Sequence, residues 1–203
     1  ATSNIIPDEL YRNGLQRERF LPAIKLINRY CDVVNVDSGV DYRLRTLEQA
    51  EIYHSPLDVK ASENLAQYFN QLSVESGKKS VDIEVNNRSL HAIEESDGIV
   101  HFDFSVLCES ARSQTDYMEI SRLYHTVLLA NVKQMSVDRE DAARRFIALV
   151  DEFYERNVKL IISAEVEMDN LYSHGGLVFE FKRCLSRLQE MQSHDYLASE
   201  HLS

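Results

Sequence analysis

The sequence predicts an α/β chain, and three observations carry that reading. "CDVVNV" (Cys31 to Val36) is a continuous run of strand length closed by Asp37-Ser38-Gly39, the pattern of a strand buried on both faces of a parallel sheet. "VDIEV" (Val81 to Val85) and "IVHFDF" (Ile99 to Phe104) alternate apolar with polar, as half-exposed antiparallel strands do. "HTVLLANV", a helical stretch from Asp138 to about Arg156, and "VKLIISA" follow one another as strand, helix and strand, the parallel crossover pattern.

Taken in order, "ATSNIIPDELYRNGLQRERFLPAI" reads as the last residues of a buried strand, a loop and then helix, so a further segment is expected upstream. Pro7 suits a first helical turn, Asn13-Gly14 is a turn signal, and Phe20, Ile24 and Ile27 recur at helical spacing, which predicts two short helices. The buried strand at Cys31 to Val36 needs neighbours, and none of the right kind precedes it. Helix is expected from Leu47 to Gln71 with a break at Ser55-Pro56 and a polar exit at Ser76-Gly77-Lys78-Lys79. Asn86-Asn87 and Ser96-Asp97-Gly98 are turns that bracket a further short strand around Leu90 to Ile93, giving a small half-exposed antiparallel sheet. Helices are expected at Phe104 to Glu109 and Asp116 to Tyr124. The long helix from Asp138 gathers Phe146, Leu149, Val150 and Phe153 on one face, and a final helix runs from Phe179 to Gln192.

An internal alignment pairs Thr2 to Tyr11 with Ser163 to Tyr172, matching Asp8 with Asp169, Leu10 with Leu171 and Tyr11 with Tyr172. Either the back half is a degenerate relative of the front strand-loop-helix unit, or two strand-to-helix junctions resemble each other by chance.

The 203 residues, 44% of them hydrophobic, can bury one sizeable core or two small ones. A net charge of -11 argues against a dedicated nucleic-acid binder, whose affinity comes from neutralising phosphates. Locally the sign reverses. From Leu10 to Arg29 stand Arg12, Arg17, Arg19, Lys25 and Arg29 against Glu18, which suits a phosphate or acidic neighbour, or simply a solvated helix face. No apolar run approaches the roughly 18 residues of a membrane span, and no export leader is legible, so the cytoplasm is the expected compartment. Cys31, Cys108 and Cys184 lack metal or redox spacing and read as reduced thiols. Asn87-Arg88-Ser89 reads as a chance sequon.

Polar "TSN" at the carboxyl end of a buried strand stands where open α/β sheets place ligand-contacting groups. In phosphoryl transfer a small neutral side chain there orients the attacking water without neutralising it. Arg17 and Arg19 follow at a helix end, 13 and 15 positions after Asn4, and an arginine lent to a neighbouring subunit's nucleotide stabilises transition-state charge by roughly 4 to 7 kcal/mol.

"ATSNIIPDELYRNGLQRERFLPAI", "DSGVDYRLR", "ARRFIALVDEFYE" and "FEFKRCLSRLQEMQS" resemble, in that order, the motifs of the ZapE family of AAA+ cell-division ATPases, which includes a mitochondrial lactation-elevated relative. The resemblance covers nearly the whole chain and is weakest from Ser80 to Phe104. It implies the end of a P-loop AAA+ core, then a helical and small antiparallel insert and a carboxy-terminal strand-helix-strand unit. The expected divisions are 1–40 for the end of the ATPase core, 41–79 for a helical connector, 80–110 for the β insert and 111–203 for a carboxy-terminal α/β domain. It further implies ATP and Mg2+ as ligands of the full-length protein, self-association as an AAA+ oligomer, and FtsZ as a partner at the division site. Asn4 takes the sensor-1 role beside Thr2 and Ser3; Arg17 is the first choice for the arginine finger and Arg19 the second.

The family's Walker A and Walker B motifs are absent: no G-x-x-x-x-G-K-[ST] occurs among the six glycines. "FIALVDEFY" imitates a Walker B strand but lies in a helical pattern, so Asp151 and Glu152 are not expected to bind metal. The chain alone is therefore expected not to hydrolyse ATP. Arg183 and Arg187, at i and i+4, fit either a sensor-2 type contact to nucleotide or ion bridges to Glu180 and Glu190. Asp41-Tyr42-Arg43 suits a clamp between core and next domain, or a structural turn. The seven histidines show no paired-ligand spacing. A competing functional class stays open beside the ATPase reading: a non-catalytic module that binds a division protein.

Overall fold

The computed structural model describes residues 7–10, 17–33 and 42–202, and the chain divides into a unit of residues 1–41 and one of 42–203. In the first, Pro7–Glu9 form a 3-10 turn closed by Leu10 N donating to Pro7 O at 3.2 Å. Helix α1 spans Arg17–Tyr30, with Pro22 inside it and Ile24 buried. One turn and one 14-residue helix thus stand where two short helices were expected. Of the strand expected at Cys31 to Val36, only Cys31 to Val33 are described; they are exposed and in no strand. Cys31 N still donates back to Ile27 O at 2.9 Å, so the chain is only leaving the helix there. The remainder of that run lies outside the described residues.

The second unit holds one six-stranded mixed sheet. Its elements are α2 (Tyr42–Gln49), β1 (Tyr53–His54), α3 (Val59–Leu72), β2 (Lys78–Val85), β3 (Arg88–Ser96), β4 (Ile99–Asp103), a π-helical turn at Ser105–Glu109, α4 (Gln114–Leu123), β5 (Thr126–Val132), α5 (Glu140–Glu155), β6 (Lys159–Ala164), α6 (Val178–Glu190) and α7 (His194–Ala198). The strand order is β1-β6-β5-β4-β3-β2. The pairs β1/β6, β6/β5 and β5/β4 are parallel, while β4/β3 and β3/β2 are antiparallel. The segments read separately as 80–110 and 111–203 therefore contribute strands to the same sheet.

Packing explains why. β5 buries every residue but Asn131 and β6 buries all six, so both need cover on two faces, and the apolar runs supply it. One face packs Val127, Leu129, Leu160 and Ile162 against Phe146 and Phe153 of α5 and Phe181 of α6. The other packs Leu128 and Ile161 against Leu65 and Phe69 of α3 and Leu197 of α7. Each such fully buried side chain contributes about 1.5–3 kcal/mol. β4 was expected to be half-exposed, yet Ile99 through Phe102 are all buried, His101 included. It sits inside the sheet, between β3 and β5, which its polar letters conceal. The outer exposed face belongs to β2, where Asp82 and Glu84 alternate with half-buried Val81 and Ile83. Asn86 and Asn87, at φ of 50° and 60°, form the two-residue turn into β3 that the sequence predicts.

Helix was expected through Leu47 to Gln71; the chain instead inserts β1 at the predicted break, and β1 survives by pairing Tyr53 and His54 with Ile162 and Ser163. Two features of the structure bear on the internal alignment without deciding between kinship and chance. Its paired segments both form a 3-10 turn, at Pro7–Glu9 and at Met168–Asn170, and the helices that follow, α1 and α6, begin at the same aligned position. Most of the front segment otherwise lies outside the described residues.

Candidate functional site

Thr2, Ser3 and Asn4 lie outside the described residues. Asp8, four positions beyond Asn4, is described and is held twice. Arg17 Nη2 donates to its backbone carbonyl at 2.8 Å, and Asn28 Nδ2 donates to Oδ1 at 2.9 Å. Arg17 and Asn28 are eleven positions apart, just over three whole turns, so one face of α1 carries both. Arg17 is half-buried, and its Nε is buried without a hydrogen-bond partner among the described residues. Arg19 is exposed. Two positions on a helix do not share a face, so the two arginines point in different directions.

Arg183 and Arg187 are brought together with acids, though not those expected. Arg183 Nη2 donates to Asp151 Oδ2 at 2.8 Å; Arg187 lies 2.7 Å from Asp151 Oδ1 and donates to Glu155 Oε1 at 3.1 Å. The Arg187 guanidinium also lies over the Tyr154 ring, 4.9 Å from its centroid. These bridges tie α6 to α5, rather than running along α6 to Glu180 and Glu190. Asp151 and Glu152 lie on α5, a helix, and Glu152 accepts from Arg156 Nε at 3.1 Å. Among the described residues no group of three or more His, Cys, Asp or Glu side chains is arranged to hold a metal.

The carboxyl ends of the parallel strands are the usual ligand position in such sheets. Here their side chains bond to one another. Asn131, at φ 61°, donates Nδ2 to Asp103 Oδ2 at 2.6 Å, and its backbone N–H donates to Ser163 Oγ at 3.1 Å. Asp103 Oδ1 accepts from Ser105 N at 2.9 Å and from Ser105 Oγ at 2.5 Å. Burial pushes the Asp103 carboxyl up, but the donors from Ser105 and Asn131 outweigh it and hold it below the usual range. Further along this edge His54 is buried between Glu51 Oε2, 2.7 Å from Nδ1, and Asp58 Oδ1, 3.0 Å from Nε2. The bond to Glu51 is the main reason its pKa is raised, and Asp58 also caps α3 through Ala61 N at 2.9 Å.

At the opposite edge Lys159, with 7% of its surface exposed, has no carboxylate partner among the described residues. Its Nζ donates to the carbonyls of Asn157, Tyr196 and Ser199 at 3.0, 2.9 and 2.8 Å, and burial lowers its pKa to about 8. The same segment is secured by Asn157 Nδ2 to Glu200 O at 2.8 Å and Leu202 N to Arg156 O at 3.0 Å. Burial also lowers His101 and His125 to about 4, and the His101 Nε2 has no hydrogen-bond partner among the described residues. Cys108 and Cys184 are buried, which raises both thiols, and Cys31 is exposed. Among the described residues no helix is long and apolar enough to cross a membrane.

Sequence reasoning missed Asp8, Asn28, Lys159 and His54. Asp8 and Asn28 stand in the letters, but the bond between them does not, because it joins a turn to a helix across 20 positions of chain.

Comparison with known proteins gives a single answer. The family model described as AFG1-like ATPase matches residues 1–200. The cell division protein ZapE of Escherichia coli K12 is 54% identical over 203 residues, covering 100% of this chain and 54% of its own length. Lactation elevated protein 1 homolog B of Danio rerio is 30% identical over 234 residues, covering 98% of this chain and 46% of its own. An uncharacterized protein of Schizosaccharomyces pombe is 32% identical, covering 98% and 50%. The chain thus spans about half the length of the curated relatives it matches. No solved structure gives a significant match.

Proposed function

Because the chain belongs to the AFG1-like ATPase family, we propose that it is the sensor- and finger-bearing part of an ATP-hydrolysing AAA+ protein of cell division. In this reading Asn4, beside Thr2 and Ser3, orients the attacking water, and an arginine at the start of α1 reaches the nucleotide of a neighbouring subunit. The phosphate-binding loop and the Mg2+ ligands come from sequence outside this chain, since none of its six glycines belongs to a P-loop. Magnesium supplies Lewis-acid stabilisation of phosphate charge when bound. Residues 1–40 then form the end of the ATPase core, the protein assembles as an AAA+ oligomer, and FtsZ at the cytoplasmic division site is its partner.

The observation that carries the proposal is the family match over residues 1–200 together with paired arginines opening α1, one of them exposed. The name borne by the Escherichia coli relative supports the division role. Arg183 and Arg187 serve nucleotide only by leaving Asp151 and Glu155, so the proposal gives them a structural role first. The test is to replace Arg17 and Arg19 together in the intact protein. Turnover of ATP is expected to fall by about 10³-fold or more; unchanged turnover defeats the proposal.

A specific observation also favours a binding module in residues 42–203. That unit has its own continuous sheet with a core on each face, and its strand ends are occupied by their own side chains rather than left open. It is suited to hold a partner on its surface rather than a substrate in its sheet.

A further inference from the structure

We propose that α7 and the segment Ser199 to Leu202 after it form a strap that opens as one piece, and that Arg187 and Lys159, at either end of a Tyr154–Tyr196 ring pair, are its two locks.

The strap's polar ties converge on one short stretch, the end of α5 and the turn into β6. Tyr196 Oη donates to the carbonyls of Phe153 and Val158 at 3.1 Å each. Lys159 Nζ takes the carbonyls of Tyr196 and Ser199, and Asn157 Nδ2 takes that of Glu200. Arg156 is bonded to Leu202 twice, accepting from its N at 3.0 Å and donating Nη1 to its carbonyl at 3.2 Å. His194 and His201 tie it elsewhere, to Glu48 and to the Ser121 carbonyl. A helix as short as α7 has little stability of its own, so bonds made to a common base form and break together.

Lys159 has three protons to give, and the carbonyls of Asn157, Tyr196 and Ser199 take them. Its Nζ also lies 5.0 Å from the centroid of the Tyr196 ring. That ring is stacked on Tyr154, with centroids 5.7 Å apart and planes 14° from parallel, and the Arg187 guanidinium lies 4.9 Å from the Tyr154 centroid. Each of the four side chains therefore meets the next, from α6 through α5 and α7 to β6. A cation holds a ring more firmly where water is excluded, and Arg187 is itself fixed by Asp151 and Glu155. Its guanidinium bonds to α5 and not to the strap, so its hold on the strap runs through the two rings.

Amide hydrogen exchange in the intact protein reads the opening directly. The Ser199 and Leu202 N–H groups, which donate to Tyr196 O and Arg156 O, report on the strap; the Met135 N–H, which donates to Leu171 O, is a control off the run. Arg187→Gln should speed exchange at both strap amides about fivefold and leave Met135 within about twofold. Lys159→Met should speed both strap amides about tenfold or more. Tyr154→Phe keeps the ring and should change little, whereas Tyr154→Leu should match Arg187→Gln. The two changes Tyr154→Leu and Arg187→Gln together should act no more strongly than either alone, because they break the same link. Strap amides unmoved by Arg187→Gln, Ser199 and Leu202 responding independently, an equal rise at Met135, or additive effects in the double variant each overturn the proposal.

Discussion

Arg187 on α6 and Asp151 on α5 face each other across 2.7 Å, and Asp151 simultaneously accepts from Arg183 at 2.8 Å. One carboxylate therefore joins two helices through two guanidiniums. Removing it leaves both cations without their shared acceptor, one of them only 21% exposed in its side chain. Asp151→Ala is expected to cost about 1–3 kcal/mol in urea denaturation, and Arg187→Ala less, because Arg183 still reaches Asp151. Equal costs for the two variants would show that the shared carboxylate is not the centre of the network.

Acid should weaken the fold through its buried histidines. His101 and His125 are held neutral by burial, with pKa lowered to about 4, whereas the unfolded chain titrates near 6.5. As pH falls from about 6.5 towards 4, the unfolded chain takes up protons that the folded one refuses, so stability falls across that window. His54 acts with the opposite sign: its raised pKa stabilises the fold below about 6.5, and that contribution is lost as pH rises through the raised value. Denaturation midpoints from pH 7 to pH 4.5 should fall in the native chain, and His101→Gln with His125→Gln should flatten the slope.

Alkali should do the reverse through Lys159. Its folded pKa of about 8 lies below the unfolded value near 10.4. Between those values the unfolded chain still binds a proton that the folded chain has released, so this group makes stability rise with pH. Below about pH 8 its desolvation cost is constant. Lys159→Met should remove the rise between pH 8 and 10, read as urea midpoints against the native chain.

Nucleotide should not bind tightly to the 203 residues by themselves. Calorimetric titration with ATP and Mg2+ is expected to show no site tighter than about 1 mM, equivalent to roughly 4 kcal/mol. A micromolar site would place phosphate recognition within this chain and contradict the proposed division of labour.

The parts of the fold that were legible share one property: their letters are repetitive enough to declare both period and burial. β5 and β6 are apolar almost throughout, and α5 shows Phe146, Leu149, Val150 and Phe153 on one stripe, so their identities follow from the sequence. β4 was read as half-exposed because His101 and Asp103 look like solvent-facing letters, while burial makes His101 neutral instead of moving it outside. β1 has two residues and exists only because β6 lies beside it, a long-range cause that no local window contains. Spacing offers Arg183 and Arg187 only the acids of their own helix; the acids they bridge lie 32 to 36 positions away, on α5. The Asp8 grip is likewise a contact between a turn and a helix, which spacing does not announce.

β4 shares its hydrogen bonds with β3 on one side and β5 on the other, changing from antiparallel to parallel across a single strand. Heat or mechanical load applied to the β2–β3 hairpin is thus delivered directly to the crossover layer, with no hinge at which it could dissipate. Residues 42–203 should melt in one cooperative event, and a cut near residue 110 would strip β5 of a neighbour instead of liberating a self-sufficient half.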